Sequence, residues 1–461
     1  MGNQNAKHTT TTTPPTTISH PLPPPPPPAP ALSMAASETQ EAWPELLGAN
    51  NWAGLLDPLD LNLRTLILRC GDFCQATYDA FNNDQNSKYC GSSRYGKASF
   101  FDKVVLQEAS SYQVSCFLYA TAQVSVPEAL LLHSQSRESW DRESNWIGYI
   151  AVTTDAVSKA IGRREIYVAW RGTIRNYEWV NVLGADLDSA VALLRSHESN
   201  PSLTNDQTDG GHGRNSSSSS DDGKSEDDEK EPKVMRGWLS MYTSSDPKSS
   251  FTKLSARDQL LTKIKELRQE YKDEKQSITM TGHSLGASLS ILSAFDLVEN
   301  GVADDIPVAA FVFGCPQVGN KALKNRIQSY RNLKILHTKN TIDLIPHYPG
   351  RLLGYRDVGT ELVIDTRKSK FLKESNNPSD WHNLQGMLHV VAGWNGEEGE
   401  FELRVKRSVA LVNKSSDFLK TELYVPGSWW VEKNKGMVLD ESSGEWVLAP
   451  LSDEDLPVRE F

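Results

Sequence analysis

The stretch ITMTGHSLGAS, residues 278–288, decides the fold because it places a serine between two glycines where a strand gives way to a helix. The β-branched residues before Gly282 predict a strand, and the small and apolar residues from Gly286 onward predict a helix. A side chain at either glycine would collide where the strand and helix approach each other, and Ser284 is held on a strained turn that lifts its hydroxyl. A G-x-S-x-G pattern alone is weak, but this context predicts that Ser284 is a nucleophile.

Strands and helices alternate on both sides of this turn. The predicted strands are REIYVAWRG (164–172), SITMTG (277–282), VAAFVFGCPQVGN (308–320), NLKILHTKN (332–340) and LVID (362–365). Between them, SARDQLLTKIKELRQEY (255–271) begins with a capping pattern at Ser255 and Asp258 and has apolar residues at helical spacing. This alternation predicts an α/β fold with a mostly parallel central sheet and helices on both faces. Together with the serine turn, it is typical of the α/β-hydrolase fold.

Two stretches of biased composition define the domain organisation. Residues 1–40 are a Thr- and Pro-rich tail that we expect to be disordered, with weak binding to SH3-like partners as an alternative to a plain solvated tail. An acidic, serine-rich stretch at about 198–232 predicts a disordered insertion within one α/β-hydrolase domain at 41–461. Residues 198–231 hold ten acidic and three basic residues, so they carry most of the net charge of -11. Whether the insertion is regulatory stays open.

Charge, hydropathy and cysteine content exclude several classes of protein. The net charge of -11 argues against a nucleic-acid groove, where a basic stripe is expected. The chain has no apolar run of about 18 residues, so we expect no membrane-spanning helix, and the first 40 residues lack the apolar core of a signal peptide. Five cysteines in such a chain are typical of reduced thiols. We therefore expect a cytoplasmic protein, with Cys70 and Cys74 as buried apolar residues and not a zinc site.

A serine nucleophile requires a base that takes its proton and a carboxylate that orients the base. In this fold the three groups follow one another along the chain in the order serine, acid, histidine. Asp343, in LKILHTKNTIDLIPHYP, comes just after a predicted strand, where a loop at the carboxyl edge of the sheet can face Ser284. Asp343 is therefore the predicted acid. Asp357 and Asp365 are the alternatives.

Four histidines downstream of the serine are candidates for the base. His337 precedes the predicted acid and so breaks the order, and His347 is only four residues beyond that acid, too near to reach across to a separate nucleophile. In SDWHNLQGMLHVVAGW, His382 opens a helical segment and is the predicted base. His389 lies one to two turns into the same segment. It is the remaining alternative, and we expect it to be packed in the core.

The negative oxygen that forms during acyl transfer needs two preorganised hydrogen-bond donors. One predicted donor is the backbone N–H of Leu285, directly after the nucleophile and at the positive end of the following helix. The second is Thr173, whose N–H and hydroxyl follow the strand in AWRGTIRNYEW. This chemistry requires neither a metal ion nor a cofactor, and we predict none.

With these residues assembled, the chain resembles the class 3 lipases and, in particular, class II of the plant phospholipases A1, the cytosolic branch. The motifs that carry the resemblance are AWRGT, GWLSMYTS, TGHSLGAS, FGCPQVGN, NTIDLIPHYPG and DWHNLQGMLHVVAGW. Carried over residue by residue, the family's nucleophile falls on Ser284, its acid on Asp343 and its base on His382. Its oxyanion position falls on Thr173. One departure is Met235–Arg236, where many class 3 lipases have Val-His before the Gly of the GWL motif; that His is not one of the catalytic groups.

The resemblance implies a serine acylhydrolase that acts on glycerolipids at a membrane or micelle surface, with sn-1 cleavage of phospholipids such as phosphatidylcholine. Galactolipids and acylglycerols remain alternative substrates. A different class of function is a non-catalytic scaffold in which the tail and the acidic insertion make the contacts. The apolar residues of WVNVLGADLDSAVALLR (179–195) predict either a lid or acyl groove, or an ordinary core helix.

Overall fold

The computed structural model describes residues 43–123, 131–142, 144–173, 185–195, 230–430, 437–449 and 451–461. The strands are β1 (Tyr112–Ala120), β2 (Asn145–Thr153), β3 (Arg164–Trp170), β4 (Leu187–Ser189), β5 (Lys233–Met235), β6 (Gln276–His283), β7 (Val308–Phe313), β8 (Gly319–Asn320), β9 (Leu333–Asn340), β10 (Tyr355–Arg356), β11 (Thr360–Ile364), β12 (Met437–Asp440) and β13 (Glu445–Leu448). The helices are α1 (Trp43–Leu46), α2 (Leu61–Asp79), α3 (Phe100–Lys103), α4 (Asp155–Ile161), α5 (Arg236–Thr243), α6 (Ala256–Glu270), α7 (Leu285–Glu299), α8 (Lys321–Gln328), α9 (Pro378–Trp381) and α10 (Leu384–Gly393).

Seven strands form the central sheet in the order β1-β2-β3-β6-β7-β9-β11. The four pairings from β3 to β11 are parallel, and β2 is antiparallel to both of its neighbours. All the sheet strands except β2 therefore point the same way. This confirms the predicted α/β-hydrolase fold with its mostly parallel sheet, and it puts the serine turn at the end of β6, in the middle of the sheet.

Helices cover both faces of this sheet. Along β3, Ile166 and Val168 pack in one hydrophobic cluster with residues of α6 and α7, whereas Tyr167 and Ala169 pack in a second cluster with α2 and α10. Successive side chains of a strand point to opposite faces, so the two clusters lie on opposite sides of the sheet. Burial on both faces explains why the parallel strands read as apolar runs without alternation.

The helix signals in the sequence are confirmed. The Ser255 hydroxyl accepts a hydrogen bond from the N–H of Asp258 at 3.1 Å, so it caps the start of α6 as the capping pattern predicts. The helix after the serine turn ends at Glu299, and Gly301 follows with φ +68°, a left-handed conformation that favours glycine. Among the described residues, none of the helices has the length and apolar character needed to cross a bilayer.

Several features of the structure differ from the sequence-based expectations. The first two strands of the central sheet and the small sheet of order β10-β8-β5-β4 were not predicted. Within 179–195, residues 185–195 hold the short strand β4 and a single 3-10 turn, so the core-helix alternative is wrong for this part. Residues 1–40 and most of the acidic insertion lie outside the described residues, and the domain boundaries therefore stay predictions.

The cysteines are all buried and none forms a disulfide. Cys70 and Cys74 lie on α2 among apolar side chains, as expected. Across the part of the chain that the structure describes, no three His, Cys, Asp or Glu side chains cluster in a way that could hold a metal ion. The expectation that the reaction needs no metal or cofactor stays a prediction.

Candidate active site

The serine turn is a single residue between a strand and a helix. β6 ends at His283 and α7 begins at Leu285, and Ser284 between them has φ 59° and ψ -126°. A conformation of this kind costs a non-glycine residue about 1–3 kcal/mol and persists only where its surroundings fix it. Its N–H donates to the carbonyl oxygen of Phe313 at 3.0 Å, which ties the turn to β7. The side chain is buried, and within the described residues its hydroxyl has no hydrogen-bond partner.

Two glycines allow the strand and helix to meet this closely. A Cβ added to Gly282 would lie 2.2 Å from the carbonyl oxygen of Gly286, and one added to Gly286 would lie 2.3 Å from the carbonyl oxygen of Trp170. Both obstacles are backbone atoms, which cannot rotate away as a flexible side chain can. The glycines on either side of the serine are therefore required by packing, as the sequence predicts.

Replacing Gly286 with alanine should lower the free energy of unfolding by about 1–3 kcal/mol or more, since the methyl group forces β3 and α7 apart. Urea denaturation followed by circular dichroism measures this loss. The matched control is Gly54→Asn, because a Cβ at Gly54 meets no atom within 4 Å and asparagine tolerates its φ of +77°. Equal stability of Gly286→Ala and the wild type would contradict the packing argument.

The predicted acid and base are hydrogen-bonded to each other. The buried carboxylate of Asp343 follows β9, and its Oδ2 lies 2.6 Å from Nδ1 of His382. Its Oδ1 accepts the N–H of Ile345 at 3.0 Å, which fixes the orientation of the carboxylate. Because Nδ1–H donates to the carboxylate, the lone pair of the neutral imidazole is on Nε2, the nitrogen that a base would use.

This pair lies beside the serine turn. The ring centroids of His382 and His283, the residue before the serine, are 4.4 Å apart. Gly314, directly after β7, makes room for the pair: a Cβ there would lie 2.8 Å from Cε1 of His382 and 3.1 Å from Oδ2 of Asp343. The structure therefore brings three of the predicted residues together at the carboxyl edge of the sheet.

The alternative acids are engaged elsewhere. Asp357 accepts hydrogen bonds from Lys339 at 3.2 Å and Arg351 at 3.4 Å. Asp365 caps the short 3-10 turn that follows it and forms an ion pair with Arg367 at 2.7 Å. The observed contact between an aspartate and a predicted base is thus made by Asp343.

The alternative bases also have other surroundings. His337 lies inside β9 and its Nε2 accepts the N–H of Cys315 at 2.8 Å, while His347 is exposed. His389 is buried, with its Nε2 2.8 Å from the Ser369 hydroxyl and its ring against Phe401. It is packed in the core, as expected from its position in α10.

The buried His389 makes stability depend on pH. Burial, and then the nearby Arg407, lower the pKa of His389 to about 4, whereas an unfolded histidine titrates near about 6.5. Between these values the unfolded chain binds a proton that the folded chain does not, so stability falls as the pH drops below about 6.5. We expect this histidine to cost about 2 kcal/mol on going from pH 7 to pH 5.

Urea titrations at the two pH values test this dependence. For each protein, the unfolding free energy at pH 5 is subtracted from that at pH 7. This difference should be about 2 kcal/mol smaller in His389→Gln than in the wild type, whatever the absolute stability of the variant. An unchanged difference would show that His389 does not titrate as described.

The predicted oxyanion donors lie at the same edge. Leu285 is the first residue of α7, so its backbone N–H is at the positive end of that helix. Thr173 is half-buried and directly follows Gly172, where an added Cβ would lie 2.5 Å from the carbonyl oxygen of His283. The end of β3 and the serine turn are thus in contact, one residue away from Thr173.

A buried arginine fixes the backbone before Thr173. Nε of Arg171 donates to the carbonyl oxygen of Trp146 at 3.1 Å, and its Nη1 donates to the carbonyl oxygen of Gly172 at 3.1 Å. Burial lowers its pKa to about 10, so the side chain still carries its charge at neutral pH. The arginine of the AWRGT motif therefore has a structural role in holding the backbone that leads to Thr173.

The chain is similar in sequence to known lipases and phospholipases. A family model described as lipase (class 3) matches residues 167–353, a span that includes Ser284 and Asp343. The chain is 65% identical over 423 residues to phospholipase A1-IIdelta of Arabidopsis thaliana, covering 92% of this chain and 99% of that protein. It is 50% identical over 432 residues to phospholipase A1-II 5 of Oryza sativa subsp. indica, covering 93% of this chain and 87% of that protein. The chain belongs to the phospholipase A1-II family.

Among solved structures, the chain is similar to the Lip2 lipase of Yarrowia lipolytica. The two are 17% identical, with 67% of this chain and 81% of that chain covered, at a TM-score of 0.40. The α/β-hydrolase assignment depends on the order and direction of this chain's own strands.

Two side chains that the motif spacing did not identify also reach the site of this phospholipase A1-II family member. Nε2 of His283 lies 2.8 Å from the carbonyl oxygen of His382, and its Nδ1 lies 2.9 Å from the hydroxyl of Tyr78. A carbonyl oxygen only accepts, so Nε2 carries the hydrogen and Nδ1 accepts the hydrogen of the tyrosine. Burial, and then the neighbouring His382, hold the pKa of His283 far below its ordinary value, so the ring stays neutral.

Tyr78 thereby connects the end of β3, which precedes Thr173, with the pair His283 and His382. Its hydroxyl also packs against Gly172, the residue before the predicted oxyanion donor, where an added Cβ would lie 2.1 Å from the tyrosine oxygen. The path Gly172, Tyr78, His283, His382 joins the end of β3 to the loop that carries the predicted base. His283 occupies the first x position of G-x-S-x-G, so the motif itself pointed to this residue. Tyr78 lies 205 residues before His283, and no sequence motif marks it.

Tyr78→Phe should lower kcat by about tenfold and leave KM nearly unchanged, because removal of one neutral hydrogen bond loosens His283 and with it His382. Tyr149→Phe is the matched control, since its buried hydroxyl donates to the carbonyl oxygen of Phe73 at 2.8 Å, away from the histidine pair. Steady-state hydrolysis of a soluble ester measures both variants. Equal kcat values for the two would reduce Tyr78 to a packing residue.

Proposed function

We propose that the protein is a phospholipase A1, a serine acylhydrolase that cleaves the sn-1 acyl ester of phospholipids such as phosphatidylcholine. The observation that carries the proposal is the 2.6 Å hydrogen bond between Asp343 and His382 beside the strained and buried Ser284. The names of the relatives at 65% and 50% identity, both phospholipases A1-II, support this choice of substrate.

In the first half of the reaction, Oγ of Ser284 attacks the sn-1 carbonyl carbon and its proton passes to Nε2 of His382. The carboxylate of Asp343 accepts a hydrogen bond from Nδ1–H and stabilises the imidazolium that forms. The backbone N–H of Leu285 and the donors of Thr173 hold the negative oxygen. A single donor of this kind is worth about 10²- to 10³-fold in kcat.

The tetrahedral intermediate then breaks down. His382 returns the proton to the glycerol oxygen, so the lysophospholipid leaves and the fatty acid remains as an ester on Ser284. A water molecule gives a proton to His382 and attacks this ester through a second tetrahedral intermediate. The proton goes back to the serine oxygen as the fatty acid departs. These steps use only the protein's own groups and water.

We place this activity in the cytoplasm. The five cysteines are buried and none is paired, which is the usual state of thiols in a reducing compartment. The Thr- and Pro-rich tail at 1–40 would add weak binding to SH3-like domains, because polyproline II segments dock into their aromatic grooves.

Labelling with a fluorophosphonate and positional lipid analysis test the function together. The wild type should be labelled at Ser284, and it should release fatty acid mainly from the sn-1 position of phosphatidylcholine labelled separately in each chain. Monogalactosyl and digalactosyl lipids and triacylglycerol serve as competing substrates. Release mainly from sn-2, or from acylglycerols only, would refute the phospholipase A1 assignment, and a folded protein that resists labelling would favour a non-catalytic scaffold.

A further inference from the structure

Three leucines are exposed on one short segment directly after Asp343. Leu344, Leu352 and Leu353 are 58%, 102% and 54% exposed. Leu352 is the most exposed of the large apolar side chains in the described part of the chain. We refer to residues 344–353 as the leucine segment. Leu352 and Leu353 are adjacent in the chain and both exposed, and exposed apolar area of this kind on a protein often serves binding.

The leucine segment is held in place at the edge of the sheet that carries the site. Its first turn is fixed by the hydrogen bond from Ile345 to the carboxylate of Asp343, and Ile345 itself is buried. Farther along, the carbonyl oxygen of Tyr348 accepts the N–H of Gln317 at 2.8 Å. The side chain of Gln317 accepts the N–H of Gly350 at 3.0 Å. The backbone that carries the leucines is thus anchored at Asp343 and at Gln317, three residues beyond the Gly314 that faces the Asp343–His382 pair.

The charged side chains within the leucine segment and the strand that follows it are basic. Between Asp343 and Asp357, residues 344–356 contain Arg351 and Arg356 and no acidic residue, in a chain of net charge -11. The exposed Arg351 pairs with Asp357 at 3.4 Å, but that carboxylate is shared with Lys339. An exposed pair of this length is weak. Positive charge beside exposed leucines complements a surface that has anionic headgroups above apolar chains.

We propose that the leucine segment is the surface with which the protein docks on an anionic phospholipid membrane. Leu352 and Leu353 insert among the acyl chains, and Arg351 lies at the level of the phosphates. This role rests on the proposed function, since docking here sets the Asp343–His382 pair at the boundary where a phospholipid ester is found. The proposed function names the reaction, and the leucine segment is the protein surface that faces the membrane during it.

Vesicle sedimentation with the full-length protein tests the docking surface. The vesicles contain either phosphatidylcholine alone or phosphatidylcholine with 30% phosphatidylglycerol, about the share that makes a surface clearly anionic. Leu352→Asp/Leu353→Asp should weaken binding to the anionic vesicles at least tenfold, and Arg351→Glu should weaken it several-fold. Both variants should hydrolyse soluble p-nitrophenyl butyrate at the wild-type rate, because neither changes the Ser284 site.

Leu61→Asp/Val105→Asp is the matched control. These side chains are 54% and 71% exposed, and Leu61 begins α2, whose far end carries Tyr78 of the site. A 19-residue helix is about 28 Å long, so Leu61 lies at the end of α2 remote from Tyr78 and the site. The control variant should bind vesicles as the wild type does.

The remaining outcomes would contradict the docking role of the leucines or the proposed function. Wild-type binding by Leu352→Asp/Leu353→Asp would overturn the docking surface, and equal wild-type affinity for the two vesicle types would overturn its preference for anionic lipid. A wild-type dimer that becomes monomeric in the double variant would show that the leucines join two copies of the chain. If the wild type binds vesicles through these leucines but hydrolyses neither the vesicle lipid nor the soluble ester, the docking surface stands and the proposed function is refuted.

Discussion

Ser284→Ala is expected to lower kcat for ester hydrolysis by about 10⁶-fold, the largest effect of any single substitution in this protein. The variant keeps the fold, because alanine removes only a hydroxyl that has no hydrogen-bond partner among the described residues. What is lost is the atom that forms the acyl-enzyme. The fatty acid released from phosphatidylcholine, measured by mass spectrometry, gives the ratio of rates.

Ser288→Ala is the control for this experiment. Ser288 is buried one turn farther along α7, and its hydroxyl lies 3.8 Å from the sulfur of Cys315. It should retain most of the wild-type kcat. If Ser284→Ala is folded by circular dichroism and its kcat is within tenfold of the wild-type value, the proposed mechanism is wrong.

Asp343→Asn should lower kcat by about 10⁴-fold while the protein stays folded. The reason lies in the second hydrogen bond of this side chain. Oδ1 accepts the N–H of Ile345, so an asparagine would keep its carbonyl oxygen there and turn its NH₂ group toward Nδ1 of His382. Nδ1 would then have to accept, the ring proton would move to Nε2, and the base would lose the lone pair it needs.

Asp357→Asn and Asp365→Asn test the two alternative acids under the same conditions. Both carboxylates pair with cations away from His382, so each variant should keep kcat within about twofold of the wild-type value. A loss of about 10⁴-fold in either of them, with Asp343→Asn still active, would move the acid to that position.

The parts of the site that could be predicted from sequence are those encoded locally. The serine turn is recognisable within the five residues 282–286, because glycine occupies both positions where backbone contacts leave no room for a side chain. Asp343 could be predicted because it closely follows a recognisable parallel strand, β9. His382 followed from chain order and from the resemblance to a lipase family. Its pairing with Asp343 becomes visible only when the loop after α9 is placed over β9.

The parts that could not be predicted depend on contacts between distant segments. β1 and β2 are largely apolar and pair antiparallel to each other, and the described residues contain no helix between them. A search for strands that alternate with helices therefore does not identify them. The strands of the small sheet have two or three residues, too few for a period to show. Tyr78 reaches His283 because α2 packs across the sheet, which no local pattern indicates.

The pairing of β4 with β5 has a practical consequence for the acidic insertion. Ser189 is in register with Lys233, and the N–H of Ala190 donates to the carbonyl oxygen of Pro232 at 2.9 Å. The described residues on the two sides of the acidic insertion are therefore hydrogen-bonded to each other. Because the entropy of closing such a loop grows only slowly with its length, a fluorescent protein could be spliced in here without reshaping the hydrolase. The acidic insertion is thus a suitable insertion site for a reporter that would show where the enzyme resides in a living cell.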